Sequence, residues 1–186
     1  MILGISGSGR ANSNSEHLLQ LTLEAARSGG RKTSLVRLAE LDFRGCSGCG
    51  ACRRGADSCV LDDDLTRVLN QTKSATALVL GAPIYYGYPS GLFKSYLDRW
   101  YSFRDGARNL RVPTGRLAVL ILTQGHTDPD GYPWTVRSMD KVLTSYGCDS
   151  RILVAAGVSE AGDARARTDL EQRALSLGET LISQTP

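Results

Sequence analysis

Apolar positions along the chain fall into two alternating patterns. Short continuous runs at Met1 to Ser6, Ser34 to Leu38, Ala75 to Ala82, Leu117 to Thr123 and Ile152 to Gly157 are Leu-rich or β-branched and bounded mostly by small or turn-forming residues. They read as strands covered on both faces. Between them, apolar residues recur at helical spacing: Leu19, Leu23 and Ala26; Leu65, Val68, Leu69 and Thr72; Leu92, Tyr96, Leu97 and Trp100; Val136, Met139, Leu143 and Tyr146; Leu170, Ala174, Leu177 and Leu181. Such stripes predict helices that bury one face. Strands alternating with helices imply a parallel sheet with right-handed crossovers and helices on both sides. Five strands favour the order 2-1-3-4-5 over the six-stranded dinucleotide-binding arrangement, and that order puts the ligand crevice between strands one and three.

The loop after the first run reads Gly4-Ile5-Ser6-Gly7-Ser8-Gly9-Arg10-Ala11-Asn12-Ser13-Asn14-Ser15 and leads into the first amphipathic helix. Small residues let backbone amides converge, hydroxyls donate, Arg10 offers a fork of donors, and the helix start adds the positive end of its dipole. Hydrogen bonds to a charged group contribute roughly 1.5–3 kcal/mol each, so Ser8, Arg10, Ser13, Asn14 and Ser15 suffice to anchor a phosphomonoester. Simple capping of the helix by Ser13 or Ser15 is the competing account, and it leaves Arg10 and the other donors unexplained. A Walker A loop would need a closing Gly-Lys-Ser/Thr, and a dinucleotide loop a third Gly where Asn12 stands, so neither pattern fits.

After the third run, Ala82-Pro83-Ile84-Tyr85-Tyr86-Gly87-Tyr88-Pro89-Ser90-Gly91-Leu92-Phe93-Lys94 crowds three tyrosines around Gly87 between two prolines. This predicts a stiff aromatic wall facing a flat heterocycle, hence a ring-bearing phosphate. A subunit contact or local core is the alternative. The loop Thr123-Gln124-Gly125-His126-Thr127-Asp128 should form the third wall, with His126 as an exposed loop residue and His17 as a surface residue. Asp98 and Arg99 read as neighbour pairs and Lys94 as a solvated helix residue.

Gly7-Ser8-x-Arg10-x-x-Ser13-Asn14-Ser15 resembles the phosphate loop of the NAD(P)H-dependent FMN reductase branch of the flavodoxin-like superfamily. The stretch from Ala82 to Lys94, with Tyr96-Leu97-Asp98-Arg99, resembles that family's flavin loop and the helix behind it. The resemblance spans most of the chain. It implies an α/β, flavodoxin-like three-layer sandwich holding FMN. The phosphate would lie on the first loop, the isoalloxazine edge on the segment Pro83, Ile84, Tyr85, Tyr86 and Gly87, and the pyrimidine side near Thr123, Gln124 and Gly125. It also implies a homodimer or homotetramer whose neighbour helps close the flavin site, with Trp100, Tyr101 and Phe103 as interface candidates, and NAD(P)H as a candidate donor.

The sharpest chemical feature is Cys46-x-x-Cys49-x-x-Cys52 followed by Cys59, with Gly45, Gly48 and Gly50 freeing the backbone, in an insertion at about residues 44–61. Bacterial ferredoxin segments share the initial spacing, but there Pro follows the fourth cysteine whereas Val60 follows Cys59 here. Within the superfamily the motif resembles the iron–sulfur flavoproteins, which implies a [4Fe–4S] cluster on these four residues beside FMN. Redox-active or unligated thiols and zinc are the alternatives; zinc sites more often pair two separated C-x-x-C units. The segment leaves the carboxyl edge of the second strand, where the flavin should sit, and is far longer than the usual two to six residues. Asp62, Asp63 and Asp64 are expected to cap the next helix, Arg53 and Arg54 to be a solvated pair, and Cys148 to be a buried thiol.

Composition narrows the rest. At 186 residues with 41% hydrophobic and 22% charged residues, the chain has ordinary globular composition and reads as one flavodoxin-like FMN-binding domain over 1–186. A net charge of +3 gives no argument for nucleic acid or an anionic membrane. No run approaches the length of a membrane span, and Met1 opens directly on a strand, so a cytoplasmic protein is expected. An odd, crowded cysteine set suits ligation or redox chemistry better than structural disulfides. The sequence reading is thus an FMN-dependent oxidoreductase, an iron–sulfur flavoprotein passing electrons between FMN, a cluster and a small-molecule or protein donor or acceptor. A cluster-free NAD(P)H-dependent FMN or quinone reductase and a flavodoxin-type electron carrier are the other readings; an acidic docking face, usual in a carrier, is disfavoured by a pI near 8.7.

Overall fold

The computed structural model describes residues 1–184. Six strands form: β1 (Ile2–Ser6), β2 (Thr33–Arg37), β3 (Ala77–Tyr85), β4 (Tyr88–Pro89), β5 (Arg116–Gln124) and β6 (Cys148–Ala156). The parallel path runs β2-β1-β3-β5-β6, while β4 folds back antiparallel on the end of β3. With β4 set aside, this is the 2-1-3-4-5 order expected from the periodicity. The extra strand exists because the turn between β3 and β4 takes two left-handed residues, Tyr86 at φ 52° and Gly87 at φ 81°, a twist that suits a tight hairpin.

The helices are α1 (Asn14–Ser28), α2 (Asp64–Ser74), α3 (Gly91–Arg99), α4 (Pro133–Ser145) and α5 (Thr168–Gln184). Alternation along the central strands decides which helix each side chain meets. Ala77 and Val79 of β3, with Leu117, Val119 and Ile121 of β5, pack beneath Leu18, Leu19, Leu23 and Ala26 of α1 and Leu170, Ala174 and Leu181 of α5. Leu78, Leu80, Leu120 and Leu122 face the other way, onto Leu65, Val68 and Leu69 of α2, Phe93, Tyr96 and Leu97 of α3, and Met139 and Leu143 of α4. Each such fully buried side chain stabilises the fold by roughly 1.5–3 kcal/mol. The sandwich therefore has two cores, one on each side of the sheet.

Two expectations change here. Trp100 and Phe103 are fully buried; their rings lie 5.4 Å apart, and Trp100 meets Tyr96 and Tyr146 edge-on at 5.6 and 5.5 Å. They belong to the core between α3 and α4 and cannot line a subunit interface; Tyr101 alone of the three is exposed. His17 is buried at 8% exposure, its Nε2 lying 2.6 Å from Glu171 Oε1, so it fastens α1 to α5 and does not face solvent. Cys148 is buried as expected, and burial pushes its thiol up from the ordinary value.

Close approaches aim the first loop. A Cβ on Gly81 would lie 3.0 Å from the Ser15 carbonyl and from Leu19, so α1 rests directly on β3. A Cβ on Gly7 would lie 2.6 Å from Phe93, so the loop after β1 sits against the start of α3. Ser90 caps α3 by accepting from Phe93 N at 3.3 Å and donates to the Gly7 carbonyl, tying the two loops together. Among the described residues no helix is long and apolar enough to cross a membrane.

Candidate active site

The carboxyl ends of β1, β3, β5 and β6 open on a cleft of about 190 Å³. Ser8, Arg10, Ser13, Asn14, Ser15, Pro83, Ile84, Tyr85, Thr123, Gln124 and Gly125 line it, so three separate stretches of sequence do meet in one place. Tyr86 and Gly87 do not line the cleft. The hairpin turn throws the Tyr86 side chain entirely into solvent, and Tyr88 is also largely exposed. Only Tyr85 of the three tyrosines forms a wall. The Gly87 carbonyl is instead an anchor, accepting from Trp134 Nε1 at 3.1 Å and from Thr135 Oγ1, which fixes the hairpin tip to α4.

The floor of the cleft combines phosphate-type donors with a helix start. Ser13 is the N-cap of α1 and accepts from Glu16 N at 3.3 Å, so capping and cleft-lining coincide in one residue. Ser8 Oγ accepts from Arg10 N at 3.2 Å, and Arg10 Nη1 donates to the Ser159 carbonyl at 3.0 Å, leaving the rest of the guanidinium beside the hydroxyls. Asn14 has a different job. Its Nδ2 donates to the Glu160 carbonyl at 2.8 Å and its Oδ1 accepts from Gly162 N and Ala164 N at 3.1 and 3.0 Å. It positions the loop after β6, and the second N–H of its Nδ2 is left over in the cleft lining.

That loop supplies the residues missed by sequence reasoning: Val158, Ser159 and Ala161 complete the cleft wall. The signal was present, since the rule that brings every strand-to-helix loop to the carboxyl edge applies to the last strand too. Gln124 forms the opposite side. It is 2% exposed, and its Nε2 donates to the Asp128 carbonyl at 2.7 Å. Its Oε1 is buried without a partner. A buried acceptor left open in a cleft wall calls for a donor from the ligand, and the imide N–H of an isoalloxazine is such a donor. His126 is exposed, accepts from Asp128 N at 3.1 Å and packs on Tyr132, as its expected loop role requires.

A second, small cavity is lined by Cys46, Cys49, Cys52 and Cys59 together with Arg99 and Tyr101. Cys46 and Cys49 are exposed, Cys59 is half-buried and Cys52 buried. Gly48 and Gly50 take left-handed φ values of 67° and 70°, which lets the segment wind tightly. Among the described residues no three Cys, His, Asp or Glu side chains are gathered closely enough to hold a single metal ion; the thiols instead border a common space. Hydrogen bonds from Ala51 N and the Ser47 hydroxyl hold the Cys49 thiol below its ordinary value, with a further contribution from Arg54.

Basic side chains fasten this segment. Arg54 Nη2 donates to the Cys49 carbonyl at 2.7 Å, and Arg111 Nη1 to the Ala56 carbonyl at 2.6 Å. Arg53 departs from the solvated pair expected of it: its guanidinium lies 4.1 Å from the centroid of the Tyr101 ring and donates to the Asp105 carbonyl. The acidic triplet also departs from a simple cap. Asp63 precedes α2 but makes no capping bond. Its carboxylate accepts from Arg99 at 2.8 and 3.2 Å and from Arg44 N at 3.2 Å. Burial alone would raise the Asp63 carboxyl, but these donors outweigh it and hold it below the ordinary carboxylate range. Lys94 and Asp98 form an exposed pair at 2.6 Å, as expected.

A family model described as NADPH-dependent FMN reductase matches residues 1–148. The chain belongs to the NADPH-dependent FMN reductase family. Curated relatives include an iron-sulfur flavoprotein from Methanosarcina thermophila, 38% identical over 147 residues that cover 78% of this chain and 74% of that one. Another, from Archaeoglobus fulgidus and also called an iron-sulfur flavoprotein, is 32% identical over 124 residues, 67% of this chain and 59% of its own length. The chain thus spans about three quarters of the first and three fifths of the second. Among solved structures, an NAD(P)H:quinone oxidoreductase from Methanothermobacter marburgensis superposes with a TM-score of 0.77 at 22% identity, covering 97% of this chain and 94% of that chain. This member of the FMN reductase family therefore has the flavodoxin-like fold and is a flavin-dependent oxidoreductase.

Proposed function

We propose that the protein is an iron–sulfur flavoprotein, holding FMN in the β-edge cleft and a [4Fe–4S] cluster on Cys46, Cys49, Cys52 and Cys59. The observation that carries this reading is that all four thiols line one cavity. Thiolates are the ligands such clusters take, and zinc sites more often pair two separated C-x-x-C units than crowd three thiols into one. The relatives named iron-sulfur flavoproteins add to it.

FMN supplies the chemistry when bound, exchanging electrons in pairs or singly. The chain's own residues bind and orient. Ser8, Arg10, Ser13 and Ser15 offer donors to a phosphate at the positive end of α1. Gln124 Oε1 offers the buried acceptor for the ring edge, the backbone at Pro83 to Tyr85 forms the facing wall, and Asn14 holds the loop with Val158 and Ser159 against them. NAD(P)H is the proposed donor, and a small molecule or protein the acceptor. One FMN-binding domain per chain, assembled as a homodimer or homotetramer, completes the reading; the exposed Tyr88 and Trp134 beside the cleft motivate the assembly, and sedimentation velocity tests it.

Purification without oxygen, followed by absorption spectra and iron, sulfide and flavin analysis, tests the whole. Expected are FMN retained through gel filtration and iron matched by acid-labile sulfide. Flavin that elutes free defeats the cleft assignment. Retained FMN that NADPH bleaches in protein free of iron and sulfide replaces the reading with a cluster-free reductase.

A further inference from the structure

Arg99 is buried, with none of its side chain exposed. Four of its five guanidinium N–H groups have partners. Nη1 donates to the Arg44 carbonyl at 2.9 Å and to Asp63 Oδ2 at 2.8 Å, and Nη2 to Asp63 Oδ1 at 3.2 Å and Thr66 Oγ1 at 3.3 Å. The fifth, on Nε, is buried without an acceptor. Arg99 also lines the cavity of the four cysteines, and the Cys59 sulfur is near enough to raise its pKa by charge and hydrogen bonding, alongside Asp63 and against the lowering effect of burial.

A buried ion pair is a weak source of stability, since well-packed apolar residues of like volume do as well or better. A donor left unsatisfied beside it makes the arrangement costlier still. The residue therefore needs a reason besides the fold, and the cavity it borders supplies one. Arg53 and Arg54 are less suited to act on that space: Arg53 is stacked on Tyr101 and Arg54 turned onto the Cys49 carbonyl.

We infer that Arg99 is a positioning residue of the cysteine site, donating its free Nε–H to sulfur on the Cys59 side of the group the thiols hold and raising that group's reduction potential. Asp63 acts through it, gripping both Nη atoms so that Nε stays turned to the cavity. Adding one electron to a thiolate-ligated group makes it more negative, and a fixed N–H and positive charge stabilise that form more than the oxidised one. No bond forms or breaks and no proton need move. The inference rests on the reading of the four cysteines as cluster ligands.

Wild type and Arg99→Lys are purified without oxygen, iron, sulfide and FMN are quantified, and the one-electron midpoint is read by dithionite titration followed by EPR. Lysine keeps a positive charge opposite Asp63 but lacks the planar fork that serves the carboxylate and the sulfur together. The variant should hold wild-type iron with its reduction equilibrium weakened at least tenfold, a fall of about 59 mV for one electron. The double variant Asp63→Asn/Arg99→Gln removes both charges together and leaves neither buried ion unpaired, and it should show the same fall. Full iron and unmoved midpoints in both variants overturn the inference and leave the site reading standing. Wild type without iron or sulfide overturns the site reading and the inference with it. Parallel loss of iron, FMN and melting temperature in both variants assigns Arg99 to the fold alone and overturns the inference too.

Discussion

Asn14 shows how far a residue's role can lie from its neighbours in sequence. It stands among serines in a donor-rich loop, yet three of its carboxamide's hydrogen bonds go to Glu160, Gly162 and Ala164, some 150 residues away. Replacing it by Ala leaves two backbone N–H groups and one carbonyl to find other partners, at about 1–3 kcal/mol for a buried group left unmet. Asn14→Ala should therefore melt lower and bind FMN about tenfold more weakly, although the residue need not touch the phosphate; thermal melts and flavin-fluorescence titration check both. Gln124→Met removes the buried acceptor while keeping volume, and should cost FMN affinity by about tenfold, one ordinary hydrogen bond; because Nε2 no longer serves the Asp128 carbonyl, the melting temperature of the flavin-free protein should fall as well. The phosphate-type donors were legible because their chemistry is carried by residue type. The assignments of Asn14, His17 and Arg99 were not, because spacing along a chain says nothing about which side chain arrives from a distant segment.

At the scale of elements, continuous apolar runs located every long strand, because the sheet is covered on both faces, and 3.6-residue stripes located every long helix, because each buries one face against the sheet. The two-residue β4 has no period to read; its existence depends on a turn whose first left-handed residue is a tyrosine. Such a backbone disfavours a bulky side chain. Tyr86→Gly should thus leave stability unchanged or raise it by up to about 1 kcal/mol. It should hold FMN within about threefold of wild type, since the side chain lies outside the cleft. Calorimetry and flavin titration on the same preparations decide it, and a large loss of flavin would show that the tyrosine ring itself reaches the cofactor. The aromatic wall was misjudged for the same reason: composition counts tyrosines, but a hairpin sends alternate ones away from the ligand.

For the whole molecule, one buried ion pair links the cysteine segment to the main core. Asp63 joins the loop before α2 to Arg99 at the end of α3, and its carboxyl is held below the ordinary range. A group whose folded value is depressed contributes its stability in full above the unfolded value and loses it as pH falls through the folded one. Melting temperature should fall as pH drops below the ordinary carboxylate range, and the slope there should flatten in Asp63→Asn. That single variant strands the Arg99 charge and should lose about 3–5 kcal/mol at neutral pH; calorimetry between acid and neutral pH reads both effects. The architecture and the meeting of three loops followed from pattern alone, whereas the fourth wall of the cleft lies beyond residue 148, outside the stretch that the family model matches.

The contacts between the two ends of the chain set an order of events during synthesis. Gly178 admits the Thr22 carbonyl of α1 where a Cβ would collide, and Thr22 Oγ1 donates to the Ala174 carbonyl at 3.0 Å, so α1 is seated only once α5 exists to receive it. A nascent polypeptide that has emerged only as far as β6 owns the whole phosphate loop but lacks the anchor that holds it in shape. A ribosome-arrested chain stopped before Ala164 should for this reason emerge colourless.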